Sequence, residues 1–384
     1  GGNGGALLYV PIVLLSSVGY AAAALWWAVE LFKREDVLFR EAERFSLKGW
    51  IKHLLREKEP TPTFAEATFA FVTILLLQFA MMGPMQRTLA SAVQTARTVA
   101  TRTALDAGQS AADAQAAAEA AGRKAAGVTA FRLVTIQQLV TVAFPVLAMG
   151  VLLTTSVKRT FRFRLPDWRL LLGAGALAIC LQPLLGTATS WLTGRFFPEL
   201  PDGFAQFSQS MAEVPLPLAF LAVAIAPAVC EELAFRGFLL SGFARARRPW
   251  LAIGLSSVAF GVVHLVPQQV FTASLAGLIL GTIAWKGRSL WPCILFHLIF
   301  NGHQVLIGRA EAGDLGPVGD AWHQLLFNET GYRPVTLALC SAGLAASLIW
   351  LVRYRFDERQ NSEGLMKRTA RTENGLPRTA SLGA

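Results

Sequence analysis

An all-α, polytopic membrane protein is the fold class this sequence predicts, and three observations predict it. Of 384 residues, 53% are hydrophobic and only 16% are charged, and the mean hydropathy is +0.45. A soluble chain of that length needs far more polar surface. Runs of about 20 apolar residues recur along the chain, the length a helix needs to cross the hydrocarbon core. Lys and Arg gather in alternate connecting segments, as they do in cytoplasmic loops.

About nine spans are expected, at roughly 6–32, 64–85, 133–155, 170–193, 215–243, 250–266, 270–285, 290–307 and 334–352. The segments 33–63, 156–169, 244–249 and the turn at Lys286 and Arg288 are basic, as is the tail after Arg353. The alternate segments are acidic or mixed: 194–214 holds Glu199, Asp202 and Glu213, and 308–333 holds Glu311, Asp314, Asp320 and Glu329. This alternation puts every basic segment on one side and predicts an external N-terminus and a cytoplasmic C-terminus. It also accounts for the net charge of +10. No aromatic-basic interleaving or finger spacing argues for nucleic acid. Cys180, Cys230, Cys293 and Cys340 all lie in apolar spans without ligand or disulfide spacing and read as small buried residues. The chain opens GGNGG, without methionine, and an external start fits a fragment whose preceding span is missing.

Composition divides the chain into five parts. Residues 1–90 hold two spans joined by a cytoplasmic segment. There Leu47, Trp50, Ile51, Leu54 and Leu55 fall at helical spacing among Lys and Arg, as in an amphipathic surface helix. Residues 91–130 are Ala-rich ("AADAQAAAEAAGRKAAG") and read as a helical excursion outside the bilayer, folded as a hairpin. Residues 131–306 carry the polar residues that bear chemistry. Residues 307–353 are an external loop and the last span, and 354–384 a disordered, basic cytoplasmic tail.

The chemistry starts at "CEELAFRG", residues 230–237, where two carboxylates and an arginine stand in an apolar helix. A charge at bilayer depth costs about 3 kcal/mol or more, so each needs a partner or a purpose. Glu232 and Arg236 are four residues apart and share a helix face, which predicts an internal ion pair. Glu231 points about 100° away and is left over. Pro227, one turn earlier, has no N–H to give the carbonyl of Val223, so a kink or polar opening is expected beside Glu231. The next span carries Phe260 and His264 one turn apart. The span after next but one carries His297 and Asn301, again on one face. Ionisable residues within spans face a shared interior, so Glu231, His264, His297 and Asn301 are expected to meet at one site.

A carboxylate and a histidine can hold and deprotonate a water, and a second histidine with an amide can donate to a developing oxyanion. These are the parts for hydrolysing an amide without a covalent intermediate. Glu231, His264 and His297 could alternatively hold zinc, although no HExxH pattern is present. No other cofactor is expected. A depth count raises one mismatch. Glu231 and His264 lie about 20 Å from the cytoplasmic helix ends, His297 only about 10 Å. Either the span 290–307 starts deeper or its neighbours tilt.

The ordered set Glu231-Glu232-Leu-Ala-Phe-Arg236, Phe260-Gly-Val-Val-His264 and His297-Leu-Ile-Phe-Asn301 resembles the CPBP family of intramembrane proteases, which includes the CAAX prenyl endopeptidases. The resemblance covers roughly residues 170–306, and Gly237 also suits it. It implies an intramembrane endopeptidase of a bacterial plasma membrane, acting on a membrane-associated peptide or protein that enters from the cytoplasmic side. Glu231 and His264 would activate water, and His297 and Asn301 would stabilise the oxyanion. Glu232, Arg236 and Phe260 would support the site. Residues 1–90, through "ALWWAVELFKREDVLFREAE", resemble the last spans of sodium-efflux-type ABC transporter permeases. That second resemblance implies an ABC transporter ATPase as partner. It opens a different reading, a permease component whose protease-like part regulates or scaffolds. A target's prenylation is not implied by any residue here.

Overall fold

The computed structural model of the protein describes residues 58–196, 213–329 and 331–354, with Phe207, Ser210 and Met211. These belong to one compact unit that begins at Lys58. The expected span 6–32, the amphipathic stretch around Trp50 and the tail from 355 lie outside the described residues. Each expected span within them contains a helix: α1 (Phe64–Asp106), α2 (Ala111–Leu153), α3 (Trp168–Phe196), α4 (Leu216–Ala246), α5 (Pro249–Val262), α6 (Pro267–Gly287), α7 (Trp291–Glu311) and, after a short α8 (Gly316–Leu326), α9 (Pro334–Arg353). Six of them, α1, α2, α3, α4, α6 and α9, are long and apolar enough to cross a membrane. The protein is an integral, multi-pass membrane protein. Its outer faces agree, since Leu76, Phe79, Phe144 and Trp191 are all more than half exposed. Such apolar surface belongs in lipid. Helix α5 has 14 residues and rises about 21 Å, which is too short to cross.

The Ala-rich segment is a hairpin continuous with the spans on either side of it. Helices α1 and α2 run 43 residues each, about 64 Å, so the expected boundaries at 90 and 130 fall inside unbroken helices. Thr63 and Glu66 start α1 with a reciprocal capping box. Its end is a Schellman turn. Gly108 takes φ +74°, its N–H bonds to Leu105 O, and Gln109 N–H reaches Ala104 O. Ser110 then caps α2 by accepting from Asp113 N–H. Ala114, Ala118 and Gly122 recur every fourth residue on the buried face of α2, with Ala104 buried on α1. Small residues at that spacing let two helices approach closely.

The basic loops meet at one end of the bundle. Arg245 pairs with Glu59 at 3.2 Å, and Thr155 N–H donates to Glu59 O. Leu290 N–H donates to Arg162 O, Ser289 Oγ to Arg164 O, and Lys286 Nζ to Val352 O and Tyr354 O. The opposite end holds the α1–α2 turn and a two-stranded hairpin, β1 (Phe327–Asn328) with β2 (Gly331–Tyr332), in the register Phe327 to Tyr332. Tyr332 Oη donates to Gln182 Oε1 of α3 at 2.7 Å.

Helix α4 runs through the core, with Ala234, Phe235, Phe238, Leu239 and Leu240 fully buried. It is not a uniform α-helix, because it widens to π geometry over Leu221–Ile225 and Leu233–Leu239. Helix α2 does the same over Gln138–Ala143. The ring of Phe161 wedges between α2 and α4. A Cβ on Gly150 or on Gly237 would stand 2.5 or 2.8 Å from that ring. Gly237 therefore serves packing: it admits Phe161.

Candidate active site

Pro227 sets the site's first feature. The carbonyl of Val223 receives its hydrogen bond from the Asn301 amide, Nδ2 to O at 2.9 Å. One amide N–H of Asn301 is thus tied to α4, where it binds α7 to the helix that carries Glu231. Replacing Asn301 with Ala leaves that carbonyl short of a donor in an apolar setting, at a cost of about 1–3 kcal/mol. In an Asn301→Ala background, Pro227→Ala returns a backbone donor next to Val223 and is expected to recover most of the loss. Thermal unfolding of the two single variants and the double variant checks this coupling.

Two carboxylates stand side by side on α4, and their surroundings separate their tasks. Glu232 is completely buried. Its Oε1 accepts from Arg236 Nη1 at 2.9 Å and from His297 Nδ1 at 2.8 Å. Arg236, also completely buried, donates to Gly277 O at 3.3 Å from Nη2 and lies over the Phe260 ring, 4.2 Å from its centroid. That stacking gives a desolvated guanidinium a second favourable neighbour. Phe260 also meets the rings of His264 and His297 edge-on, at 5.2 and 5.8 Å between centroids.

Glu231 faces the other way. Its Oε1 accepts from Gln138 Nε2 at 2.6 Å, and its Oε2 lies 3.8 Å from His297 Nε2. Because a carboxylate can only accept, the proton on the Glu232 side of His297 sits on Nδ1, and Nε2 is the atom turned to Glu231.

His264 does not lie on a continuous helix with Phe260. Helix α5 stops at Val262, and His264 sits in the turn to α6, where Leu265 takes φ +61°. The expected span to 266 is shortened accordingly. The two residues still touch, because His264 Nδ1 donates to Phe260 O at 2.9 Å. A carbonyl has no proton to give, so Nδ1 carries the hydrogen and Nε2 keeps its lone pair, the form of imidazole that can take a proton.

Glu231 and His264 line one cavity of about 410 Å³, together with Gln138, Gln78 and the turn residues Val263 and Leu265. Non-helical backbone at membrane depth is tolerated where it lines a cavity, and this turn does so. His297 and Asn301 are not part of the lining. His297 reaches Glu231 from the protein side, and Asn301 is turned to Val223.

Depth ties the floor of the cavity together. Gln78, Gln138 and Glu231 each stand about 15 residues from the basic-end terminus of their helices, or about 21–23 Å, and His264 follows the end of α5, a helix about 21 Å long. The mismatch for His297 is resolved by a deep start: Ser289 and Leu290 are fully buried under the loop 162–164, so α7 begins inside the protein. From that floor the cavity runs outward along α1 past Met82, Met85 and Leu89, toward the α1–α2 turn. It therefore leads away from the basic loops.

Gln138 and Gln78 were absent from the expected site. Their only trace in the sequence is an amide inside an apolar run, in "LVTIQQLVTVAF" and "LLLQFAMM". As for zinc, among the described residues no group of three or more His, Cys, Asp or Glu side chains could hold a metal ion.

Residues 213–303 match a family model described as Type II CAAX prenyl endopeptidase Rce1-like. The match takes in all three motifs and does not reach residues 1–90. No curated protein and no solved structure matches the chain.

Proposed function

We propose, from the premise that residues 213–303 are a domain of the CAAX prenyl endopeptidase (CPBP) family, that this membrane protein hydrolyses a peptide bond inside the bilayer with a water activated by Glu231 and His264. The observation that carries the reading is that these two side chains line the same cavity at the same depth. Water in that cavity attacks the carbonyl carbon. Its proton passes to the Glu231 carboxylate or to His264 Nε2 and then to the leaving amine nitrogen, so the products are a carboxylic acid and an amine. His297 steadies Glu231 and, when protonated on Nε2, has a donor for the oxyanion. The second N–H of Asn301 is the other candidate donor. No step is routed through a metal. The test is cleavage of a library of membrane-anchored peptides by the protein and by Glu231→Gln.

The substrate side follows from the cavity's direction and the charge rule together. The basic loops belong in the cytoplasm. The cavity's mouth near Leu89 then faces the other compartment, and the C-terminus is cytoplasmic. A membrane-impermeant maleimide is expected to label Leu89→Cys in intact cells and to leave the parent protein unlabelled there. Labelling of that cysteine only in inverted vesicles would reverse the assignment.

A further inference from the structure

The cavity is lined by an unusual set of amides. Besides Gln138 on Glu231, the side chains of Gln78, Gln86, Gln137 and Gln269 reach it. Between them stand apolar walls, Met82, Met85 and Leu133 among them. Among the described residues, Glu231 is the only carboxylate of the lining, and no Lys or Arg belongs to it.

Two of the amides are incomplete. Gln78 is buried, 8% exposed, and its Oε1 has no hydrogen-bond partner. Gln138 spends its Nε2 on Glu231, while its Oε1 is likewise buried and without a partner. A buried carbonyl acceptor without a donor is costly, and it persists where something else supplies the donor. Both acceptors lie at the depth of Glu231, on the two helices that wall the cavity. What reaches that depth to be cut is a polypeptide, and an extended polypeptide presents a backbone N–H at regular intervals.

We infer that Gln78 and Gln138 are backbone-reading residues: their Oε1 atoms accept from peptide N–H groups on either side of the bond to be cut. The groove takes an uncharged, internal stretch of an extended chain, with apolar side chains against the methionines. Without a cation in the lining, a terminal carboxylate has no partner there. The inference rests on the protease reading for its purpose, but binding tests it separately.

The probe is a fluorescein-labelled, acetylated and amidated decapeptide of Ala, Leu and Met, with an analogue N-methylated at its four central peptide bonds. Binding is read by anisotropy on the full chain in nanodiscs. The protein is expected to bind the parent peptide about a hundredfold more tightly than the N-methylated one, the size of two hydrogen bonds. Gln78→Met keeps the side chain's length and removes only an acceptor without a partner, so its thermal stability is expected to match the parent's or exceed it. That variant should bind the parent peptide about tenfold more weakly and keep only the roughly tenfold preference that Gln138 provides. Equal affinity of the wild-type protein for the two peptides, no binding of either, or undiminished discrimination by Gln78→Met overturns the inference. If binding follows the expectation while no library peptide is ever cut, the groove stands and the protease reading falls.

Discussion

Glu231→Gln is expected to fold, to bind peptide and to lose cleavage by about 10²–10⁴-fold, the range that a positioned general base contributes. The exchange is nearly isosteric. The new amide's oxygen can still accept from Gln138 Nε2, which holds Glu231 at 2.6 Å, so the cavity floor keeps its shape. What disappears is the group that takes a proton from water. His264 Nε2 remains in the cavity as a weaker substitute, which is why the loss has a floor rather than being complete. The effect belongs in kcat, with KM little changed, because the acceptors proposed to read the substrate's backbone are untouched. Turnover within threefold of the wild type, in a variant that is folded and binds peptide, would dismiss the water-activation mechanism.

Arg236→Ala is expected to act on the fold before it acts on chemistry. Glu232 and Arg236 are both 0% exposed, and the truncation leaves a carboxylate in the core with only His297 for company. Breaking a buried pair on one side costs about 3–5 kcal/mol, and here the Phe260 stacking and the bond to Gly277 O go with it. The variant should show a sharply lower unfolding temperature in detergent and little monodisperse protein. Removing both charges, as Glu232→Gln with Arg236→Met, should restore much of that loss, because no uncompensated ion is left inside. A single variant as stable as the parent would contradict the pairing.

Much of this architecture was legible in the sequence because its physics is local. The spans follow from apolar length. The hairpin tip follows from "DAGQSAAD", which places Gly where a helix must turn left-handed and Ser where the next must be capped. The Glu232–Arg236 partnership follows from a spacing of four. Even the orphaned Val223 carbonyl follows from Pro227. What did not follow was who answers it, because Asn301 lies 78 residues away and only packing brings it there. The end of α5 before His264 was hidden for a different reason: "FGVVHLV" is apolar apart from His264, so hydropathy carries the span past it, although Pro267 just beyond marks a helix end. The π segments at Gln138, Val223 and Arg236 have no compositional mark, yet all three adjoin the site, as such segments often do. Gln78 and Gln138 carry no charge, so they did not stand out where Glu231 did.

One consequence concerns the length of the first two helices. They pair as a hairpin, with Thr63 and Glu59 held at the basic end, and the first runs as one helix, with Pro84 inside it, to the turn at Gly108. A rod of about 64 Å that pivots by about 5° at its clasped foot sweeps its tip through about 5 Å and Gln78 through about 2 Å. Hydrogen bonds are made or lost over that smaller distance. A displacement of the tip about such a pivot is therefore reduced to about a third at the depth of Gln78.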